Sequence, residues 1–244
     1  MINIVIPMAG RGKRFVDAAY KEPKPLIDVN GMPMISRVID NLRTDEDVCF
    51  TFICLQDFIA NYYHDFTKVV PKNSKIITVR EVTEGAACTV LLAKEIIDNE
   101  NELIIANCDQ LVLDPCFMQG SIDYYRKQKA HGGILCFLND SPKWSYVRMS
   151  GGKIVEVVEK QVVSNLATVG LYYYVQGNIF VESAENMIAN NIRVNGEFYV
   201  APTYNDMLIG GLKVVPYLVN EMVGLGTPED LNIYLRETNE NIQS

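Results

Sequence analysis

In the first half of the chain, short apolar runs of strand length take turns with stretches of helical periodicity, an order few folds can accommodate. Residues 3–8, 48–55, 75–79 and 102–106 read as largely apolar strands. Between them, 33–42, 58–69 and 86–97 read as helices; in the last of these Ala87, Val90, Leu91, Lys94 and Ile97 recur at helical spacing. Strands this apolar need cover on both faces, and intervening helices supply it. The pattern therefore predicts an α/β fold with a mostly parallel sheet flanked by helices. Ligands of such sheets bind beyond the carboxyl ends of the strands, where residues 9–14, 83–86 and 107–110 fall.

The second half changes style. Residues 145–149 and 153–158, joined by Ser150-Gly151-Gly152, predict a β-hairpin. A strand follows at 168–175, in which Tyr172, Tyr173 and Tyr174 read as packing residues, because aromatics favour strands. Then come a helix at 178–190, an irregular stretch at 191–201, a further short helix and a strand at 213–217. A last helix at 228–237 starts on a proline, with Thr227 as its N-cap. His131, ahead of Gly132-Gly133, reads as a turn residue. No repeat or long linker interrupts the 244 residues, a length that suits one domain over 1–244 with two lobes.

The chemistry concentrates where the first strand ends, at Met8-Ala9-Gly10-Arg11-Gly12-Lys13-Arg14. Glycines let backbone N–H groups approach an anion closely, and Arg11, Lys13 and Arg14 can neutralise it. Such a loop suits a polyphosphate. It is not a P-loop, because Gly12-Lys13 is followed by Arg14 and no glycine stands five positions before Gly12. Nor is it a dinucleotide fingerprint, since Phe15 stands where a third glycine belongs. The net charge of −8 argues against a nucleic-acid or anionic-membrane partner, and the cationic loop stands out against it. Six cysteines form no C-x-x-C pair and mostly sit in apolar segments, which predicts free thiols and a reduced, cytoplasmic setting. No apolar run reaches the ~18 residues of a membrane span. Two histidines leave little material for a histidine metal site or a Ser-His-Asp triad.

Together with Lys24-Pro25-Leu26 and Gly31-Met-Pro-Met-Ile35, this block resembles the signature of sugar-phosphate nucleotidyltransferases, including members from polysaccharide gene clusters. The resemblance continues, in the same order, through Glu84-Gly-Ala-Ala87, Asn107-Cys-Asp-Gln110, Glu159-Lys160, Gly170-Leu-Tyr172 and Gly226-Thr-Pro-Glu229. It implies a Rossmann-like mixed, mostly parallel sheet, with a nucleotide-binding half over about 1–115 and a smaller acceptor-binding lobe over about 116–244. It also implies a reaction: a nucleoside triphosphate and a phosphorylated acceptor, most simply a sugar 1-phosphate, give an NDP-linked product and pyrophosphate. The product would serve a surface glycan.

The resemblance further implies residue roles. Met8, Ala9, Gly10, Arg11, Gly12 and Lys13 would wrap the triphosphate, with Arg14 and Lys24 on phosphates near the reacting centre. Asp109 would hold Mg²⁺, a hard cation suited to carboxylate oxygen. Where relatives carry a second metal carboxylate in Asp-x-Gly-Thr, this chain has Gly224; Glu221 or another acid could substitute. Glu84, Gly85 and Ala86 would face the base. A carboxylate only accepts hydrogen bonds, so Glu84 favours CTP or GTP over UTP and dTTP. Glu159, Lys160, Gly170 and Asn195 would meet the acceptor. A small non-sugar phosphate with CTP is the competing acceptor class, and a nucleotide-binding regulator without catalysis is the competing function. A glycosyltransferase would need an Asp-x-Asp motif, and Asp45-Glu46-Asp47 reads as a solvated turn instead. Oligomeric state is not fixed by any of these features.

Overall fold

The computed structural model describes residues 1–243. The first half runs β1 (Ile2–Met8), α1 (Lys13–Asp17), β2 (Asp28–Val29), β3 (Met32–Pro33), α2 (Met34–Asn41), β4 (Val48–Leu55) and α3 (Gln56–Val69). It continues through β5 (Lys75–Val79), α4 (Ala86–Leu91), α5 (Lys94–Ile97), β6 (Glu102–Ala106) and β7 (Gln110–Val112). The second half comprises α6 (Phe117–Lys127), β8 (Gly132–Leu138), β9 (Ser145–Ser150), β10 (Lys153–Glu159), β11 (Leu166–Tyr174) and α7 (Gly177–Ala189). It closes with α8 (Thr203–Ile209), β12 (Val214–Leu218), β13 (Met222–Gly224) and α9 (Pro228–Gln243).

One mixed sheet organises the molecule. Strands β6, β1, β4 and β5 lie side by side and parallel. The long β11 then pairs antiparallel with β6 on one edge and with β8 on the other, and β12 adds to β8 in parallel. The β9–β10 hairpin joins the far end of β11 through Ala167↔Tyr146. Alternation along β1 explains its central place: Ile2, Ile4 and Ile6 enter the core on one face, while Val5 enters that on the other. Such fully buried side chains contribute ~1.5–3 kcal/mol each. Helix α3 covers the first face by setting Phe66 edge-on to Phe52, 5.4 Å between ring centres.

Three local expectations are corrected. The helix anticipated at 86–97 is two helices, because i→i+3 bonds from Leu92 to Thr89 (3.1 Å) and Ala93 to Val90 (2.9 Å) break its course. The glycines after His131 open a strand rather than a turn. A Cβ at Gly133 would lie 2.5 Å from the Tyr125 ring, and one at Gly132 would lie 2.7 Å from Tyr204, so glycine here makes room for packed aromatics. His131 itself accepts from the Lys213 amide at 3.1 Å, at the start of β8. Glu46, read as part of a solvated turn, is paired with Arg126. The hairpin anticipated around Gly151-Gly152 is present, with φ of 55° and 75° at the two glycines. All six cysteines are free thiols, and among the described residues no helix is long and apolar enough to cross a membrane.

Candidate active site

The site is built at the carboxyl ends of β1 and β6. After Met8 the chain turns through Gly10 to Gly12, whose φ of 58° caps α1, with its carbonyl accepting from Phe15 (2.9 Å) and Val16 (3.2 Å). Phe15 is buried and meets Tyr20 edge-on at 5.1 Å, which anchors the loop from beneath. A Cβ at Gly12 would sit 3.2 Å from Lys24 Cβ, so the loop backbone passes beside that lysine. Lys24 Nζ in turn donates to Asp109 Oδ2. Burial pulls the Lys24 pKa down, but Asp109 and Cys108 outweigh it and hold the ammonium above its usual value. Asp109 is fixed from its other side, where its carbonyl accepts from Leu225 N at 2.7 Å.

Two hollows meet at Asn107 and Asp109. One, of about 280 Å³, is lined by Met8, Gly10, Gly12, Lys24 and Cys108. The other, of about 330 Å³, reaches from Arg14 and Ala86 to Glu159, Lys160 and Gly170. Gly170 lies in an irregular stretch of β11, with φ of 84°. A Cβ there would fall 1.9 Å from Gln110 Oε1 and 2.3 Å from Asn107 Nδ2, so only glycine lets these two side chains bond each other at 2.9 Å.

The far end of the cleft is densely paired. Glu159, 9% exposed, accepts from Ser145 Oγ. Burial raises its carboxyl pKa, with Ser145 and Lys160 pulling it partly back. Lys160 has φ of 55°, donates its amide to the Trp144 carbonyl at 3.0 Å, and sets its ammonium 4.5 Å over the Tyr199 ring while bonding the Tyr199 hydroxyl. Trp144 stands against Gly224, where a Cβ would lie 3.2 Å from the indole ring. Lys143 lies 4.9 Å over that indole and bridges to Asp230 at 3.2 Å.

Several sequence-derived candidates sit elsewhere. Arg11 and Lys13 are exposed and outside both hollows; of the loop cations only Arg14 lines the larger one. Glu84 is two-thirds exposed (67%) and pairs with Arg193 Nη2 at 2.5 Å, so it is not the open acceptor expected. Gly85, at φ 139°, presses its backbone against Phe198. Asn195 occupies the exposed tip of a tight turn closed by reciprocal 3.0 Å bonds between Val194 and Glu197, outside the cleft. The side chain from that segment that lines the cleft is Tyr199, whose signal was the aromatic flank of 195–202. Trp144, Ser145 and Asp230 carried no local signal at all. Tyr172, read as packing, also reaches the cleft through its hydroxyl, 3.2 Å from Thr168.

The donor set suits a cation that relies on few protein ligands. Among the described residues no three His, Cys, Asp or Glu side chains converge as a metal cage. Asp109 stands between the two hollows, one oxygen engaged by Lys24. Mg²⁺ binds through one or two carboxylates plus substrate phosphates, which fits. Glu221 does not replace the carboxylate missing at Gly224; it is exposed and lines neither hollow.

The chain spans 52% of the length of the bifunctional protein GlmU of Clostridioides difficile, with which it shares 24% identity over 97% of its own residues. It is 25% identical to the UTP–glucose-1-phosphate uridylyltransferase AglF of Haloferax volcanii, covering 71% of this chain and 72% of that one. Among solved structures, a nucleoside-diphosphate-sugar pyrophosphorylase of Vibrio cholerae superposes with a TM-score of 0.80 at 25% identity, over 96% of this chain and 99% of the other. The model of the nucleotidyl transferase family matches residues 4–197. With four-fifths of its length so matched, and Gly10, Gly12, Lys24 and Asp109 lining one hollow, the chain belongs to the nucleotidyl transferase family of enzymes.

Proposed function

We propose that the protein transfers a nucleoside monophosphate from a nucleoside triphosphate to a sugar 1-phosphate and releases pyrophosphate. The observation that carries this reading is the placement of Arg14 and Asp109 in one cleft with Glu159 and Lys160. Two polyanions must be brought together, so positioning and charge neutralisation are the main tasks. The loop from Met8 to Lys13 receives the triphosphate through its backbone amides, and Arg14 and Lys24 hold phosphates near the α-phosphorus. Lys160 takes the acceptor phosphate, and Glu159 accepts from a sugar hydroxyl. Gly170 serves the acceptor end indirectly, since the room left by its missing Cβ is filled by the Asn107–Gln110 pair that walls the cleft. An acceptor phosphate oxygen then forms a bond to the α-phosphorus as the bridging α–β P–O bond breaks, and no proton need move. Asp109 would hold Mg²⁺, which would supply charge neutralisation at the phosphates.

The division of labour follows the chain, with about 1–115 serving the nucleotide and about 116–244 the acceptor. Glu84 lends no support to a preference for CTP or GTP, because it is two-thirds exposed, paired with Arg193 and outside both hollows. A sugar is favoured over phosphocholine as acceptor by a specific feature. Lys143 and Lys160 already lie over Trp144 and Tyr199, so those ring faces are taken by cations. Ser145, Thr168 and Tyr172 line the cleft with hydroxyl-bearing side chains, a surface suited to a polyhydroxylated ligand. Supply of a surface glycan in the cytoplasm is the physiological role that this reading suggests.

The test is pyrophosphate release with Mg²⁺, pairing each of four NTPs with sugar 1-phosphates, polyol phosphates and phosphocholine. Release that depends on a sugar 1-phosphate is expected. Release only with a non-sugar phosphate would replace the acceptor class, and failure of every NTP to bind would overturn the reading.

A further inference from the structure

Between the loop proposed to face the base and the lysine proposed to hold the acceptor runs one continuous set of contacts, centred on a residue that touches neither hollow. Arg193 has every side of its guanidinium engaged. Nη2 reaches Glu84 Oε2 at 2.5 Å, Nε donates to Asn191 Oδ1 at 2.6 Å, and Nη1 donates to the Gly196 carbonyl at 3.1 Å. Its Cζ lies 4.0 Å over the Phe198 ring. Beneath it the two backbones are zipped together, Phe198 N donating to Glu84 O at 2.8 Å and Ala87 N to Phe198 O at 3.0 Å. The contact is so close that a Cβ at Gly85 would fall 2.3 Å from the Phe198 carbonyl oxygen. The next residue, Tyr199, holds Lys160 through its hydroxyl and its ring face. Lys160 is tied in turn to Trp144.

Resting on the proposed assignment of loop 83–86 to the nucleotide and Lys160 to the acceptor, we infer that Arg193 is a positioning residue that couples the two. The physical reason lies in where order comes from. An exposed ion pair alone contributes little. A planar guanidinium that bonds three acceptors and stacks on an aromatic ring instead fixes the relative position of the segments that supply them. Here those segments are the base loop, the 191–196 turn and the strand of chain carrying Tyr199. A nucleotide that orders the base loop therefore orders Tyr199, and Tyr199 sets Lys160 for the acceptor phosphate. Arg193 does this without touching either substrate.

Hydrogen exchange tests the coupling without knowledge of the acceptor. Full-length protein is incubated with Mg²⁺ and saturating UTP, CTP, GTP or dTTP, and exchange is followed by mass spectrometry. In the unmodified protein the bound NTP should slow exchange at 83–87 and, by about 5-fold, at 191–199 and around Lys160, a coupling at the lower end of the usual range. In Arg193→Met protection should persist at 83–87 and at Phe198, whose backbone stays bonded to the base loop, and be lost at 191–196. Glu84→Gln, which keeps the loop's shape, should lose most of it too, and Arg193→Lys should retain part. Equal protection of 191–196 in Arg193→Met, or protection confined to 83–87 in the unmodified protein, would overturn the coupling. Absence of NTP protection at residues 9–12 and 83–87 would instead overturn the proposed reaction. Thermal melts of each variant separate a lost fold from a lost link, because a merely structural role would lower stability and leave the spread of protection intact.

Discussion

At the loop end of the cleft Arg11, Lys13 and Arg14 stand exposed, and among the described residues none of them enters an ion pair; only Lys24 is held, by Asp109. At the far end every charge is engaged: Glu159 by Ser145, Lys160 by Tyr199, and Lys143 by Trp144 and Asp230. The difference reflects what each end has to recognise. A triphosphate brings charge enough to attract solvated cations, and any internal partner would have to be displaced first. The acceptor brings one phosphate on a polyhydroxylated body, so beyond the charge that Lys160 meets, its site must discriminate by geometry, with donors and acceptors fixed beforehand. The loop end is built to neutralise and the far end to select.

The strongest way to break this contrast is at Lys24, the loop-end cation already positioned. Lys24→Met should lower kcat by about 100–1,000-fold, as loss of a preorganised electrostatic donor does, while the acceptor KM changes little. Pyrophosphate release under saturating substrates reads both. A variant within about 10-fold of the parent would mean that the exposed cations suffice and that preorganisation at this end counts for little.

Next comes Gly170, on which both ends lean through Asn107 and Gln110. Gly170→Ala adds a Cβ 1.9 Å from Gln110 Oε1 at a φ of 84°. Overpacking and left-handed strain together should cost about 2–4 kcal/mol in thermal unfolding. A smaller loss would show that the Asn107–Gln110 pair is free to rearrange, and with it the boundary between the two hollows.

The contrast also governs what could be read from the sequence. Parallel strands buried on both faces are continuous apolar runs, so β1, β4 and β6 were legible, while β5, a half-exposed edge strand, was read from its short Ile76-Ile77 run. The loop end was legible because its chemistry is consecutive, from Ala9 to Arg14, with Lys24 and Asp109 in short motifs of their own. The far end joins residues distant in sequence. Glu159-Lys160 could be found by resemblance, but Trp144, Ser145, Tyr199 and Asp230 acquire a role only when the β9–β10 hairpin, the 191–199 segment and α9 are brought together. Glu84 was misread for the same reason, since Arg193 becomes its partner only in the folded chain. Gly132-Gly133 was misread because glycine signals both turns and close packing, and the aromatics that decide between them lie on α6 and α8.

A smaller effect sharpens the account of the far end by showing that its selectivity is held at some expense of stability. Burial raises the Glu159 pKa above the ordinary carboxylate value, Ser145 and Lys160 offsetting part of the rise. The folded state then binds this proton more tightly than the unfolded chain, and stability is lost as pH climbs through the raised value. Glu159→Gln removes that titration. Its melting temperature should gain on the parent as pH rises above the ordinary carboxylate value of about 4.3, while the acceptor KM increases. A gap that stays constant with pH would mean that the carboxylate is not held at a cost.

The smallest effect belongs to Lys143, and it asks whether pairing at the far end serves stability or selection. Its bridge to Asp230 is exposed and its contact with Trp144 is at the surface. Exposed pairs of this kind contribute about 0–1 kcal/mol, so Lys143→Ala should shift unfolding by no more than that, and by less in high salt. Selection is a separate matter. Lys143 covers one face of the indole that stands against Gly224, and its removal opens that face to the cleft. If pairing there protects ring faces from the wrong ligand, Lys143→Ala should leave the sugar 1-phosphate KM nearly unchanged and admit phosphocholine as a measurable acceptor. An unchanged acceptor range with unchanged stability would reduce this pair to a surface contact, and selection would then rest on Glu159, Lys160 and Tyr199.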